Sequence, residues 1–400
     1  MANILVIGGS LGGLLVANLL VRAGHAVRVL EKALTSLDGR GAGIVAHRPL
    51  IDALARCGLV FDDALSPQHA LGVAIHKRTA LARDGSVLFE AHIPQVVTSW
   101  SRLYSLLMSV LPADTYCHGA AVRQVQQHAH GVSVTCNDGR QFDADLALAS
   151  DGIRSSVRQW LAPEVQADYA GYVAWRGVCD EAALSVRTRE TICESFGFGM
   201  SPGEQLIGYP VTGANNAVAK GSRRYNFVWY RPADTLQLKA LMTDATGQYF
   251  PLGIPPGQVA QQHIDVMREA AHARLAPQFA EILDKTQQPF LQPIYDCAAP
   301  AMAYGRVALM GDAAFVARPH VGMGVTKAAE DAMALVSAIA KHGATPTALL
   351  AFENERLPAG LAVVQRARWL GAHLHFDSLA VCNAPSPQEV IAETAIDLSG

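Results

Sequence analysis

Paired cysteines, a strong charge of one sign and long apolar runs are all missing from this sequence of 400 residues. The seven cysteines are odd in number and none has Cys-x-x-Cys spacing, which argues against a disulfide framework or a zinc site. The net charge is −3 and no basic block is present, so the chain offers no electrostatic footprint for nucleic acid or for an anionic membrane.

The apolar regions are short because polar residues interrupt them. Four such residues break the longest region, residues 11–30: Asn18, Arg22, His25 and Arg28. This pattern predicts an amphipathic helix followed by a strand, not a membrane span. A strand pattern starts so close to the N-terminus that it leaves no room for a signal peptide. We therefore expect a cytoplasmic protein whose cysteines are mostly buried, inert thiols.

Half of the residues are hydrophobic and 17% are charged, which predicts a folded chain with a large core and two domains. Glycine, proline and aromatic residues increase between about 168 and 292, so we predict a substrate domain at 168–292. Residues 1–167 and 293–400 are predicted to form the other domain together. Helices are predicted at 12–23, 98–111, 257–285, 323–342 and 346–376. Asp84-Gly85 and Asp138-Gly139 predict hairpin turns.

The N-terminal segment predicts a nucleotide-binding βαβ unit. A buried strand over residues 3–8 leads into Gly8-Gly9-Ser10-Leu11-Gly12-Gly13 and then a helix. Gly8 permits a sharp turn, Gly13 lets helix and strand pack closely, and phosphates are expected at the helix N-terminus. Glu31 ends the next strand, where an acid can accept ribose hydroxyls. The alternative is a glycine-rich turn beside a surface glutamate.

Two later segments carry residues for the same ligand. Ser150-Asp151-Gly152 follows strand residues, and Gly311-Asp312 ends an apolar strand over 306–311. A carboxylate in such a place can hold sugar or ribityl hydroxyls. Pro319, Gly322 and Gly324 precede a long helix, whose N-terminus suits a flavin ring that becomes negative on reduction. Three such turns in this order predict FAD, whereas the last alone could be a plain loop entering a helix.

With these motifs the chain resembles the single-component, FAD-dependent aromatic hydroxylases, a group that includes p-hydroxybenzoate and salicylate hydroxylases. The resemblance covers nearly the whole chain and also includes Arg154 after Asp151-Gly152, and Asp331-Ala332 in the long helix. The stretches 169–177 and 318–328 are most similar to the dihydroxypyridine hydroxylases of that group. The resemblance implies an α/β fold, with a Rossmann-like FAD-binding domain of the p-hydroxybenzoate hydroxylase type and a second, mostly β substrate domain.

The resemblance also implies which residues would bind FAD. The adenosine end and the pyrophosphate would be bound by Gly8, Gly9, Ser10, Leu11, Gly13, Glu31, Lys32, Val122, Asp151 and Gly152. The flavin end would be bound by His47, Arg102, Gly311, Asp312, Pro319, Gly322, Met323 and Gly324. Arg102 alone could equally be a solvated residue on a helix face. Three residues depart from the usual pattern of the group: Lys32 for arginine, Phe315 for histidine and Lys327 for asparagine.

The reaction implied by the resemblance is hydroxylation of a small hydroxylated aromatic or pyridine-type ring. The sequence has no second glycine fingerprint for a nicotinamide nucleotide, so NADH or NADPH would bind transiently, reduce the flavin and leave. O2 would then form a C4a-hydroperoxide on the flavin, and the electron-rich ring would attack it. A homodimer is compatible with the resemblance. A flavin oxidase or dehydrogenase and a flavin-binding protein without turnover stay open as alternatives; a halogenase is disfavoured because Trp-x-Trp-x-Ile-Pro is missing.

The candidate catalytic residues are His320, His47 and Tyr209, because a base or cation near a phenolic hydroxyl favours its reactive anion. His47 follows the stretch 41–46, which passes near the flavin ring in relatives. The candidate substrate contacts are Trp175, Tyr209, Phe227, Trp229, His320 and Met323. The alternative for each is an ordinary place in the core. Arg176 is expected to pair with a neighbouring carboxylate rather than with the substrate.

Overall fold

A computed structural model describes residues 1–37, 43–61, 69–251, 253–255, 257–374 and 384–397. Within these ranges no helix is both long enough and apolar enough to span a bilayer. Gly41 and Ala42, in the stretch before His47, lie outside the described residues, as do the last two residues of the helix predicted at 346–376.

Strands and helices alternate in the order expected of an α/β protein. The strands are β1 Asn3–Ile7, β2 Ala26–Leu30, β3 Gly43–Ala46, β4 Val73–Leu81, β5 Val87–Ser99, β6 Tyr116–Cys117, β7 Val122–His128, β8 Gly131–Cys136, β9 Gln141–Ala144, β10 Leu146–Ala149, β11 Asp168–Asp180, β12 Ser195–Ser201, β13 Glu204–Val211, β14 Arg224–Pro232, β15 Phe290–Ala298, β16 Ala303–Tyr304, β17 Val307–Leu309 and β18 Phe315–Val316. The helices are α1 Leu11–Arg22, α2 Arg48–Arg56, α3 Trp100–Val110, α4 Ser156–Leu161, α5 Val186–Ile192, α6 Thr235–Leu241, α7 Gln261–Arg274, α8 Pro277–Lys285, α9 Gly324–His342, α10 Pro346–Gly371 and α11 Pro387–Glu393.

A six-stranded sheet in the order β16-β17-β10-β1-β2-β6 forms the nucleotide-binding half of the fold. β17, β10, β1 and β2 run parallel, and their apolar runs are buried between helices that include α1 and α9. The three glycine-containing turns follow the carboxyl ends of β1, β10 and β17, which are neighbours in the sheet. The turns therefore meet at one edge, where open α/β sheets bind their ligands.

A nine-stranded sheet in the order β18-β15-β11-β14-β13-β12-β4-β5-β3 forms the second half. Helices α5, α7 and α8 cover one of its faces and share a buried core with it. The other face, here called the inner face, packs its own apolar cluster toward the C-terminal residues of the chain. The predicted fold class, with its mostly β second domain, is confirmed. Strands from residues 43–99 also enter this sheet, and the domain boundaries stay a prediction.

Several predicted elements are confirmed and one is divided. Gly85 and Gly139 adopt φ values of +86° and +87° in the turns that join β4 to β5 and β8 to β9. The single helical stretch predicted at 257–285 is instead two helices, α7 and α8. Pro277 stands at the start of α8, where its missing N–H does no harm and its ring prevents α7 from continuing.

Three buried thiols give a first testable prediction. Burial raises the pKa of Cys57, Cys179 and Cys193 to about 12. At pH 8 only about one such thiol in ten thousand is a reactive thiolate. Iodoacetamide is therefore expected to leave all three unlabelled in the native protein and to label them in guanidinium chloride, as read by peptide mass spectrometry. Half-buried Cys117 is the internal control; rapid native labelling of the three would contradict their burial.

Candidate functional site

The first turn, Gly8–Gly13, packs directly on the second turn, Ser150–Arg154. Gly8 has a φ of +102°, and a Cβ there would lie 2.4 Å from the Ser150 carbonyl oxygen. A Cβ at Gly13 would lie 1.9 Å from the Gly8 carbonyl oxygen. Side chains are excluded at both positions, which is the close approach that a dinucleotide fingerprint needs.

Glu31 holds the first turn from the end of β2. Its Oε2 accepts a hydrogen bond from the Gly9 N–H at 2.8 Å, and its Oε1 accepts one from the Ala33 N–H at 2.8 Å. The Tyr116 hydroxyl donates to the Gly9 carbonyl at 3.0 Å. Each carboxylate oxygen keeps a further lone pair, so the ribose role predicted for Glu31 is compatible with its structural one.

Arg158, in α4, joins the second turn to the third, Gly311–Ala314. Its guanidinium donates to the carbonyls of Asp312 and Ala313 at 3.3 and 2.8 Å, and to the Ile153 carbonyl at 2.5 Å. The sequence reasoning missed this residue. The available signal was an arginine in the short helix right after the Asp151-Gly152 motif.

Two charged residues of helix α9 hold the third turn through hydrogen bonds to its backbone and its neighbourhood. The Asp331 carboxylate accepts hydrogen bonds from the Gly311 N–H at 3.0 Å and from Arg356 Nε at 2.8 Å. The fully buried Lys327 ammonium donates to the Phe315 carbonyl and lies 3.5 Å from Asp312 Oδ1. Lys327, one of the departures from the group pattern, therefore pairs its charge with the carboxylate predicted to hold the ribityl chain.

The first cavity, about 470 Å³ in volume, lies between the first two turns. Seven of the residues predicted to bind FAD line it: Gly8, Ser10, Glu31, Lys32, Val122, Asp151 and Gly152. Asp151 Oδ2 accepts a hydrogen bond from the Ser156 N–H at 2.8 Å, whereas its buried Oδ1 has no partner in the described part of the chain. Burial raises the pKa of Asp151 above its ordinary value. A buried acceptor left open in a cavity wall suits a hydroxyl or amine of a ligand.

Leu11 and Arg102 are among the predicted cofactor residues that line neither this cavity nor the second one described below. Leu11, the first residue of α1, is 2% exposed and packs in the core. The backbone N–H of Arg102 donates a hydrogen bond to the hydroxyl of Ser99, the N-cap of α3. The Arg102 guanidinium donates from Nη2 to the Ala70 carbonyl at 3.0 Å. Its roles in binding pyrophosphate or flavin stay predictions.

The second cavity, about 250 Å³ in volume, lies between the inner face of the nine-stranded sheet and the third turn. Asp312, Pro319, Gly322 and Gly324 line it from the side of the third turn. A Cβ built at Gly324, the first residue of α9, would meet no atom within 4 Å, so the space in front of this helix is open. A 19-residue helix that begins uncapped at a cavity wall favours a negatively charged ring edge there.

Three of the aromatic residues predicted as substrate contacts do not line the second cavity. Trp175, Phe227 and Trp229 are almost fully buried against the helices on the opposite face. Successive side chains of a strand point to opposite faces, so their neighbours line the second cavity instead. Those neighbours are Arg176, Val228 and Tyr230. The three aromatic residues pack in the core, and their predicted contacts with the substrate stay a prediction.

Tyr209 does line the second cavity, and its ring stacks on Phe196 with the centroids 4.8 Å apart. Burial raises the pKa of Tyr209 above its ordinary value and raises that of Tyr230 to about 12, while the charge of Arg176 opposes both shifts. Both hydroxyls are therefore neutral near pH 7 and can donate hydrogen bonds to a ligand.

Arg176 brings a cation to this cavity without a counter-ion. The structure shows no hydrogen bond or ion pair between its guanidinium and another described residue, and its Nε is buried without a partner. The neighbouring carboxylate that the sequence predicted for it is missing from the described residues. An unpaired guanidinium in a cavity wall suits an anionic ligand.

His320 lies behind the cavity wall, fully buried. Its Nδ1 lies 2.9 Å from Gln205 Oε1, and its Nε2 lies 2.8 Å from the Tyr172 hydroxyl. An amide oxygen only accepts, so Nδ1 carries the proton and Nε2 accepts from the tyrosine. Burial lowers the pKa of His320 well below its ordinary value. The ring is thus a neutral link within the core rather than a group facing the cavity.

His47 and Met323 also lie in the core. His47 Nδ1 lies 3.0 Å from Thr326 Oγ1 and its Nε2 lies 3.1 Å from the Ala395 carbonyl, so both ring nitrogens are occupied. Met323 is 3% exposed and packs in an apolar cluster with residues of α10. Neither side chain lines the second cavity, and their predicted contacts with flavin or substrate stay untested.

His320→Ala gives a prediction that separates a structural from a catalytic role. The sequence alone suggests that this variant keeps FAD but loses coupling between NAD(P)H use and product formation. The structure predicts chiefly a loss of stability, about 2–4 kcal/mol, because the variant leaves a void and removes one hydrogen bond each from Tyr172 and Gln205. Urea unfolding and the ratio of peroxide to product measure the two effects. Wild-type stability with collapsed coupling would favour the catalytic role.

The cavities and turns fit FAD. The first cavity would hold the adenosine end and the second the flavin end, with Asp312 between them. When bound, FAD supplies the redox chemistry that activates O2, and the protein supplies binding, orientation and a dry site.

Comparisons with known proteins agree with this site. A family model described as FAD binding domain-like matches residues 169–296. The 2,6-dihydroxypyridine 3-monooxygenase of Paenarthrobacter nicotinovorans is 29% identical over 93% of this chain and 91% of its own length. The 3-amino-4-hydroxybenzoate 2-monooxygenase of Streptomyces cremeus is 29% identical over 95% of this chain and 89% of its own.

A solved structure extends the likeness to three dimensions. The 2,6-dihydroxypyridine-3-hydroxylase from Arthrobacter nicotinovorans matches with a TM-score of 0.86 and 27% identity, covering 95% of each chain. These findings confirm the predicted resemblance and the predicted cofactor. The chain is an FAD-dependent monooxygenase with the fold of the p-hydroxybenzoate hydroxylase group.

Proposed function

We propose that the protein hydroxylates a small aromatic or N-heteroaromatic ring that binds as an oxyanion, with O2 as co-substrate. The observation that carries this proposal is Arg176, the cation in the second cavity for which the described residues supply no counter-ion. A phenol or hydroxypyridine reacts with an electrophilic oxygen faster as its anion. The positive charge of Arg176 would stabilise that anion, whereas the apolar side chains in the cavity wall cannot do so.

The rest of the second cavity suits a flat apolar ring with few polar groups. Phe196, Ile207 and Val228 supply apolar surface, and the hydroxyls of Tyr209 and Tyr230 supply donors. A site of this kind orients a small ligand through a few polar contacts while it excludes water. Exclusion of water matters here because it prevents the activated oxygen from being released as peroxide.

The sequence relatives support a hydroxylated ring as the substrate. The two enzymes described above are named for a dihydroxypyridine and an aminohydroxybenzoate, both planar rings with an ionisable hydroxyl. We also propose a cytoplasmic location, because the free cysteines suit a reducing compartment and the electron donor is available there.

The test is a screen of NADH and NADPH oxidation by purified holoenzyme with dihydroxypyridines, hydroxynicotinates and hydroxybenzoates. We expect at least one ring to accelerate oxidation and to gain one oxygen atom from ¹⁸O2, with peroxide scored separately. Turnover of a ring without any nicotinamide donor would instead indicate an oxidase or dehydrogenase. Binding of FAD with no ring-stimulated oxidation would contradict the proposal.

A further inference from the structure

The last described segment of the chain, residues 384–397, reaches back to the second cavity. It contains α11 and continues into Thr394 and Ala395, which both line the cavity. Ala395 has a φ of +51°, and its N–H donates to the His320 carbonyl at 3.0 Å. The segment therefore forms part of the wall of the substrate cavity.

Buried polar side chains hold this segment in place. Arg78 is 0% exposed and its Nη1 donates to the Ile391 carbonyl at 2.5 Å and the Ala392 carbonyl at 3.2 Å. Gln95 Nε2 donates to the Ala395 carbonyl at 2.6 Å. His47 contacts the same carbonyl through Nε2, so this predicted catalytic residue serves as an anchor. Bonds of this kind, made inside a low-dielectric core, make the segment a rigid wall.

Thr394 stands out within this anchored wall. Thr394 is 1% exposed, yet its Oγ1 has no hydrogen-bond partner among the residues that the structure describes. A buried hydroxyl without a partner is costly, and native proteins nearly always satisfy it. A ligand in the second cavity that offers a polar atom would recover that cost.

We propose that Thr394 contacts the substrate: its hydroxyl hydrogen-bonds a second polar substituent on the ring whose oxyanion pairs with Arg176. This inference rests on the proposed function. Arg176 enters the cavity from β11 and Thr394 from the C-terminal segment, so the two groups come from separate parts of the wall. The pair would favour rings with two polar substituents over rings with one.

Calorimetric titration of the oxidised holoenzyme tests this with two matched probes, 2,6-dihydroxypyridine and 2-hydroxypyridine. Thr394→Val keeps the shape of the side chain and removes the hydroxyl, whereas Thr394→Ser keeps the hydroxyl. We expect Thr394→Val to weaken binding of 2,6-dihydroxypyridine roughly three- to tenfold and to leave 2-hydroxypyridine unchanged. Thr394→Ser should bind both probes as the wild type does.

The possible outcomes distinguish a failure of the role of Thr394 from a failure of the proposed function. If Thr394→Val binds both probes as tightly as the wild type, or loses equally on both, the role of Thr394 is overturned and the proposed function stands. If the wild type binds neither probe, nor any ring of the screen, both the proposed function and the role of Thr394 are overturned. The melting temperature of Thr394→Val should not fall, because the Thr394 hydroxyl makes no hydrogen bond to a described residue that the variant would lose.

Discussion

Arg176→Met is expected to slow ring-stimulated oxidation of NADH or NADPH severely while leaving the FAD content of the protein unchanged. Methionine keeps the aliphatic volume in the second cavity but removes the charge that would pair with the substrate oxyanion. Loss of one partner of a buried charge pair costs about 3 kcal/mol, which is on the order of a hundredfold in kcat/KM. Steady-state kinetics with the ring selected in the screen measure this loss.

Two further variants serve as comparisons for Arg176→Met. Arg176→Lys should recover part of the activity, since an ammonium keeps the charge but not the two-pronged geometry. Arg83→Met changes an exposed arginine at the β4–β5 turn and should behave as wild type. Wild-type affinity of Arg176→Met for an anionic ring would refute the role of Arg176.

Asp312→Ala should purify largely without flavin. The carboxylate lies at the carboxyl end of β17, is half exposed toward the second cavity, and is the predicted acceptor for ribityl hydroxyls. Loss of hydrogen bonds to a charged group should weaken FAD binding roughly ten- to a hundredfold. The ratio of flavin to protein absorbance after purification, and titration of the apoprotein with FAD, measure the effect.

The buried ammonium of Lys327 supplies a control for Asp312→Ala. Removal of Asp312 leaves this cation without a counter-ion, which by itself lowers stability. The double variant Asp312→Ala/Lys327→Met should therefore regain stability in urea without regaining FAD. Full yellow occupancy of Asp312→Ala would count against its place in the cofactor site, whatever its stability.

The nucleotide-binding half could be predicted from the sequence because its signals are local. Each of the three turns carries glycine, a polar group and a preceding apolar strand within a few residues. Adjacent parallel strands then bring those turns to one edge of the sheet without any further information. Arg158 was harder to predict because its place after the Asp151-Gly152 motif does not show that it binds the backbone carbonyls of Ile153, Asp312 and Ala313.

The substrate half could not be predicted in the same way. Both faces of β11 and β14 are buried, so alternation shows two sets of residues but not which set faces the cavity. The aromatic set, Trp175 and Trp229, packs under helices, and the less conspicuous Arg176 reaches the cavity. The surroundings of His320 are hidden for a related reason, since only the fold shows that Tyr172 and Gln205 occupy both of its nitrogens.

The guanidinium of Arg158 has a consequence for which nucleotides the protein retains. Because it bonds to the main chain of two turns at once, neither turn can shift without the other. A molecule long enough to touch both turns makes contacts with each of them in their fixed arrangement, whereas a mononucleotide makes only part of those contacts. We therefore expect the protein to bind FAD more tightly than FMN.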